Sequence, residues 1–134
     1  MKKTFLLNSQ ISFAISSLGH TQSICIADCG LPIPQNVERI DIALSKGIPS
    51  FLDTLEAVLS EMQVEKALMA TELKDNKNFT QKIIDLLKYS NEKIIIDFIP
   101  HADFKRETQN SAAIIRTGEQ TPYANVLLFS GVTF

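Results

Sequence analysis

The stretch LGHTQSICIADCGLPIP (residues 18–34) indicates the fold class. Its centre, SICIA (23–27), is a mostly apolar run that is typical of a β-strand covered on both faces, as in a parallel sheet between helices. The prolines of LPIP end this run, because proline donates no backbone hydrogen bond and restricts the residue before it. His20 precedes the strand and Asp28 ends it, so titratable groups flank a buried strand.

Outward from this strand, helical and extended patterns alternate along the chain. The segment VERIDIAL (37–44) fits either type, and Pro49 suits the first turn of a helix. The alternation predicts an α/β fold, with a largely parallel sheet flanked by helices. Without a linker or repeat, we expect a single domain over residues 1–134. The patterns predict helices over 11–18, 49–62, 79–88 and 102–108, and strands over 23–27, 66–73, 93–99, 112–117 and 124–134.

Composition narrows the class of protein. The chain has 134 residues, of which 45% are hydrophobic, enough for one buried core. A net charge of −2 without a basic stripe argues against a nucleic-acid partner. The apolar run near the N-terminus is interrupted at Asn8, Ser9 and Gln10, unlike a signal peptide. No stretch reaches the roughly 18 apolar residues of a membrane span, so we expect a cytoplasmic protein with no membrane partner.

The two cysteines and two histidines do not predict a metal site. Cys25 and Cys29 share one face of the predicted strand but lie too far apart along it to form a disulfide. His20 and His101 lack the spacing of a zinc-ligand pair. We therefore expect free thiols and no bound metal.

Polar residues mark the ends of the predicted strands, where the sites of open α/β sheets form. His20 also lies just past a predicted helix, where the helix dipole favours a protonated imidazole. An imidazole combined with carboxyl, phenol and amide groups suits acid–base chemistry on a neutral polyol. The candidates at strand ends are Asp28, His101, Glu119 and the PYAN stretch that contains Tyr123, Ala124 and Asn125.

Other chemistries lack their motifs. Neither G-x-x-x-x-G-K nor G-x-G-x-x-G occurs, which argues against phosphoryl transfer and dinucleotide binding. No nucleophile elbow supports a serine hydrolase. Each candidate taken singly also has an ordinary structural explanation: the histidine as a helix cap, the aspartate as a turn cap, and the tyrosine and asparagine as edge and turn residues.

Taken together, a series of motifs resembles the ribose/fucose mutarotase family. LGHT, IADCGLPIP, IDIAL, GIPSFL, PHADFK, IRTGE and TPYANVLL occur in the family's order and spacing, and the resemblance extends over residues 7–134. At IADCGLPIP and TPYAN the chain follows the ribose branch. The resemblance implies an isomerase that interconverts pyranose and furanose forms of D-ribose without a cofactor, for ribose utilisation. It also implies a ring-shaped homo-oligomer, a decamer in the family, with sugar bound at subunit contacts.

The resemblance also implies roles for individual residues. By it, the catalytic acid is His20, the sugar-binding residues are Asp28, His101, Tyr123, Ala124 and Asn125, and Lys105, one helical turn after His101, assists them. One position departs from the family, which usually carries an acidic residue after LGHT, where this chain has Gln22. If that carboxylate orients His20, this chain must supply it from another group.

Two alternatives stay open at this stage. The chain could act on L-fucose instead of ribose, or it could be a non-catalytic sugar-binding module of ribose uptake.

The length of the predicted strand separates His20 from Asp28. The five residues of the strand 23–27 span about 16 Å, far more than a ribose ring. Either the chain before Ser23 doubles back along the strand, or a neighbouring chain supplies His20 or Asp28.

Overall fold

A single six-stranded sheet forms the centre of the molecule. A computed structural model describes all residues 1–134, and its strands are β1 (Ser23–Ala27), β2 (Glu38–Asp41), β3 (Val64–Ala70), β4 (Ile95–Ile99), β5 (Ala113–Arg116) and β6 (Val126–Ser130). Their order across the sheet is β2-β5-β1-β6-β3-β4. Five strands run in one direction, and β6 runs antiparallel between β1 and β3. The predicted α/β fold with a largely parallel sheet is confirmed.

Four α-helices flank the sheet. They are α1 (Ser9–Ser17), α2 (Phe51–Leu59), α3 (Lys77–Ser90) and α4 (His101–Glu107). The side chains of Asn8, Ser50 and Asn76 accept backbone N–H groups at the starts of α1, α2 and α3, which satisfies donors that the helix itself leaves free. None of the helices has the length and the continuous apolar character that a membrane span requires.

Both faces of the sheet are buried at β1, as the apolar run 23–27 predicts. All five residues of β1 are buried, and alternate side chains enter different clusters. Ile24 and Ile26 join the larger cluster, which includes residues of α1, α2 and α3. Cys25 and Ala27 join a smaller one that includes Phe104 of α4. The two apolar clusters therefore enclose β1 between two layers.

The thiols remain free, as expected. Burial raises the pKa of the Cys25 thiol, and the negative charge of Asp28 adds to the effect. Cys25 is therefore a protonated core residue.

Several predicted boundaries were wrong. Pro49 does not begin α2, because Ser50 is the N-cap and the helix starts at Phe51. The predicted strand 66–73 ends at Ala70, where a short 3₁₀ helix (Thr71–Asp75) begins. The predicted final strand 124–134 is regular only over Val126–Ser130, which is the part paired with β1 and β3.

Glu119, one of the strand-end candidates, ties the loop after β5 to the start of α2. Its Oε2 accepts the N–H of Phe51 at 3.2 Å. Its Oε1 accepts the N–H groups of Gln120 and Thr121, both at 3.0 Å, and the Thr121 hydroxyl at 2.8 Å. Burial raises the pKa of this carboxyl, but the hydrogen bonds from Thr121, Phe51 and Gln120 outweigh burial and bring the pKa below its ordinary value. Its contacts are those of a structural residue.

We expect Glu119→Gln to lower the free energy of unfolding at pH 7 by about 1 kcal/mol. Hydrogen bonds to a charged group contribute about 1.5–3 kcal/mol, and the exposure of this carboxylate reduces that value. Because its pKa is lower in the folded chain, the stabilisation is complete above the ordinary pKa of 4.5 and is lost as pH falls through the folded value.

Denaturant unfolding between pH 7 and pH 3 measures this effect. The control is Glu107→Gln, which changes an exposed carboxylate outside the loop. A difference between wild type and Glu119→Gln that stays constant across this pH range would contradict the prediction.

Candidate active site

Asp28 and Asn125 meet at one edge of the sheet, because β6 runs against its neighbours. Asp28 follows the end of β1, and Asn125 precedes the start of β6. The Asn125 Nδ2 donates to Asp28 Oδ2 at 2.9 Å, and the Asp28 N–H donates to Asn125 Oδ1 at 2.9 Å. The second Asp28 oxygen accepts the N–H of Gly30. Two predicted site residues are thus locked together by a pair of reciprocal hydrogen bonds.

Asn125 and the neighbouring Ala124 are fully buried. A buried amide needs hydrogen-bond partners, and Asp28 supplies them for both polar atoms of the Asn125 side chain. The predicted sugar contacts of Ala124 and Asn125 stay predictions. The geometry gives Asn125 a defined task, which is to hold the Asp28 carboxylate in one orientation.

His101 and Tyr123 form a second pair at the same edge. His101 is the first residue of α4, directly beyond β4, and its backbone N–H donates to both carboxylate oxygens of Glu72. The Tyr123 ring stands edge-on to the imidazole, with 5.0 Å between centroids, and the Phe104 ring stacks near it at 6.3 Å. Aromatic packing on two sides therefore orients the imidazole.

The His101 Nδ1 is buried and has no hydrogen-bond partner in the chain. An unpaired buried polar atom costs about 1–3 kcal/mol, so this nitrogen is suited to bind a polar group of a ligand. Hydrogen bonds from the backbone N–H of Glu72, and then from that of His101, lower the pKa of the Glu72 carboxyl. Glu72 is therefore an anion that anchors the start of α4.

Tyr123 lies in a tight turn before β6. Its φ of 64° falls in the left-handed region, which costs a bulky residue about 1–3 kcal/mol and is found at functional sites. The Asn125 N–H closes the turn by donating to the Tyr123 carbonyl at 2.7 Å. Lys105 lies one helical turn after His101, with an exposed side chain that forms no ion pair within the chain.

His20 lies at the opposite edge of the sheet. The N–H of Thr21 donates to the Ser130 carbonyl at the end of β6, and Asn125 precedes the start of that strand. Five residues of β6 at about 3.3 Å each separate the two edges by roughly 16 Å. A cleft of about 510 Å³ contains His20, and a cleft of about 400 Å³ contains Tyr123, with no residue in common. The chain before β1 does not double back toward Asp28.

A carboxylate that the sequence analysis missed contacts His20. The His20 Nε2 lies 2.9 Å from Oε2 of Glu65 on β3. Gln22, at the position where the family usually has an acid, instead accepts the Gly19 N–H with its Oε1. No local pattern signals Glu65, because it lies 45 residues from His20 and reaches it only through the pairing of β3 with β6. No group of three potential metal-ligating side chains converges anywhere in the structure.

Comparison of the sequence with known proteins shows the family of the chain. The family model described as "RbsD / FucU transport protein family" matches residues 1–133. The chain is 57% identical over 134 residues to a D-ribose pyranase of Thermoanaerobacter sp. (strain X514), with all of both chains covered. It is 50% identical over 139 residues to a D-ribose pyranase of Haemophilus influenzae (strain ATCC 51907 / DSM 11121 / KW20 / Rd), again with all of both chains covered.

Solved structures agree with these similarities. The structure of Bacillus subtilis RbsD complexed with D-ribose superposes with a TM-score of 0.90 at 42% identity, covering 100% of both chains. The fucose mutarotase of Streptococcus pneumoniae, in complex with L-fucose, superposes with a TM-score of 0.78 and covers 95% of this chain and 94% of the other. At 19% identity, that second likeness shows the fold alone. The chain belongs to the RbsD/FucU transport protein family.

Proposed function

We propose that this protein opens and recloses the hemiacetal of D-ribose and so interconverts its pyranose and furanose forms. The observation that carries the proposal is 57% identity over the entire chain to a protein named D-ribose pyranase. The 42% identical relative from Bacillus subtilis, whose structure contains D-ribose, supports the same substrate. The two edges of the sheet supply the acid–base and hydrogen-bonding groups that the reaction requires.

The reaction needs proton transfers and the cleavage and re-formation of one C–O bond. A base removes the proton of the C1 hydroxyl, the bond from C1 to the ring oxygen breaks, and the ring oxygen takes a proton from an acid. Attack of the C4 or C5 hydroxyl on the resulting aldehyde then closes the furanose or the pyranose ring. No atom is oxidised or reduced, so no cofactor is required, and a positioned acid or base contributes about 10²–10⁴-fold.

The predicted residues divide between these tasks. His20 is the group that delivers the proton, since its imidazole is exposed and an imidazole can both donate and accept a proton. Asp28 and the unpaired His101 Nδ1 bind sugar hydroxyls, with Asn125 holding Asp28 in place. Tyr123 and Lys105 complete that side of the site.

The separation of His20 from Asp28 within one chain supports a site shared between subunits. His20 of one chain would face the edge of a neighbouring chain that carries Asp28, His101 and Tyr123. We propose that the functional unit is a ring-shaped homo-oligomer, a decamer as the family resemblance implies. Each sugar is then enclosed by two chains.

Saturation-transfer NMR on ribose tests the proposed activity. We expect the protein to accelerate exchange between pyranose and furanose ribose, and to do so equally with a chelator present, because proton transfer suffices. L-fucose serves as the parallel substrate. Exchange of fucose alone, binding of ribose without exchange, or a rate that is lost in chelator and restored by zinc would each contradict the proposal.

Variants at the two edges of the sheet should change different kinetic quantities. We expect His20→Ala to lower kcat with little change in sugar affinity, because a proton donor acts mainly in the transition state. We expect Asn125→Ala to weaken sugar binding, since Asp28 then loses its two reciprocal hydrogen bonds. Steady-state exchange rates and ribose titrations measure both quantities. An equal loss of affinity in both variants would contradict the assigned roles.

Mixing inactive variants tests the shared site. When equal amounts of His20→Ala and Asp28→Ala chains are refolded together, about a quarter of the interfaces in a random ring carry two intact halves, so about a quarter of the wild-type activity should return. A matched control mixes Asp28→Ala with His101→Ala, whose defects lie at the same edge, and we expect that mixture to stay inactive. Co-assembled but inactive His20→Ala and Asp28→Ala mixtures would place both residues in a site within one chain.

A further inference from the structure

We propose that Glu65 is a positioning residue for His20, and that Nδ1 of His20 is the nitrogen that exchanges the proton with the sugar. The assignment rests on the proposed function and deepens it, since it names the reacting atom and the group that selects it. It depends on the contact between the two side chains, a bulge in β3 and the space left by one glycine.

The contact determines which imidazole nitrogen is free. A carboxylate only accepts hydrogen bonds, so the Nε2 that lies 2.9 Å from Glu65 Oε2 carries a hydrogen. In the neutral imidazole, Nδ1 then holds the lone pair, and in the protonated ring Nδ1 gains a hydrogen that it can donate. The proton therefore arrives and leaves at Nδ1, while Nε2 stays bound to Glu65 throughout.

A bulge in β3 directs Glu65 toward His20. Val64 pairs with Ser130 of β6 and Lys66 pairs with Phe129, so the intervening Glu65 has no partner in the ladder. An extra residue of this kind bends the strand and changes the direction of a side chain, and such bulges are frequent beside active sites. Without the bulge, the side chains of β3 would alternate strictly between the two faces of the sheet.

Gly131 leaves room for the carboxylate. A Cβ at this position would lie 3.1 Å from the Glu65 Cβ and 3.5 Å from its Oε2. A larger residue would therefore displace Glu65 from the position in which it meets His20. Ser130, at the end of β6, accepts the N–H of Thr21 with its carbonyl oxygen. Gly131, directly after it, leaves the space that accommodates Glu65.

Stability alone does not account for this arrangement. The His20 and Glu65 side chains are 53% and 41% exposed, and exposed ion pairs contribute only about 0–1 kcal/mol. Glu61 lines the same cleft as His20, but its carboxylate is bound by Lys2 and Thr4. Glu65 is thus the carboxylate that contacts His20, and its main effect is on the orientation of the ring.

The test combines Glu65→Gln with a matched control, Glu61→Gln. We expect Glu65→Gln to reduce kcat for ribose exchange by about 10–100-fold, the range found for carboxylates that orient metal-bound histidines, with KM changed by less than about threefold. Glu61→Gln should leave both constants at the wild-type values. An unchanged kcat in Glu65→Gln, or a parallel loss in Glu61→Gln, would overturn the positioning role.

A second measurement tests the nitrogen and leaves Glu65 intact. Nδ1-methylhistidine at position 20 blocks Nδ1, and its protonated ring still donates from Nε2 to Glu65, so exchange should fall to the rate of His20→Ala. A rate near that of wild type would overturn the assignment.

A sugar-free measurement separates this inference from the proposed function. The ¹⁵N shifts of the neutral His20 imidazole should place its hydrogen on Nε2. The opposite tautomer would overturn the inference whether or not ribose is exchanged. If the wild-type protein has the Nε2–H tautomer but does not exchange ribose, only the proposed function is contradicted.

Discussion

The reversed strand β6 determines which side chains meet at each edge of the sheet. Had it run parallel to β1 and β3, the turn that carries Tyr123 and Asn125 would lie at the opposite edge from Asp28. Because β6 is antiparallel, its first residues meet the last residues of β1, and the Asp28–Asn125 hydrogen bonds become possible. The same reversal brings Ser130, at the other end of β6, to the segment that carries His20.

Each edge of the sheet therefore holds an incomplete set of groups. One has a carboxylate held by a buried amide and an imidazole nitrogen without a partner, which suit the hydroxyls of a neutral sugar. The other has an exposed imidazole bound to a carboxylate, which suits proton transfer. In one chain these sets are separated by the length of a strand, so the proposed reaction links catalysis to the assembly of subunits.

Much of this architecture could be predicted from periodicity. The run 23–27 predicts a strand with two buried faces, and the structure buries all five of its residues. The direction of β6 could not be predicted that way, because an apolar run of this length has the same pattern in either direction. The bulge at Glu65 also has no sequence pattern that predicts it, since it arises from the register of β3 against β6. Motif resemblance therefore predicts His20 as a catalytic residue, whereas its contact with Glu65 could be found only from the coordinates.

Cys25 has a consequence for the chemical resistance of the molecule. Its thiol lies at the middle of β1, the strand that separates the two edges, and burial keeps it in the protonated form. Alkylating agents and peroxides react with the thiolate, so the strand at the centre of the sheet offers them no nucleophile. Thiol chemistry in this chain is thereby left to Cys29, which is half-buried beside Asp28.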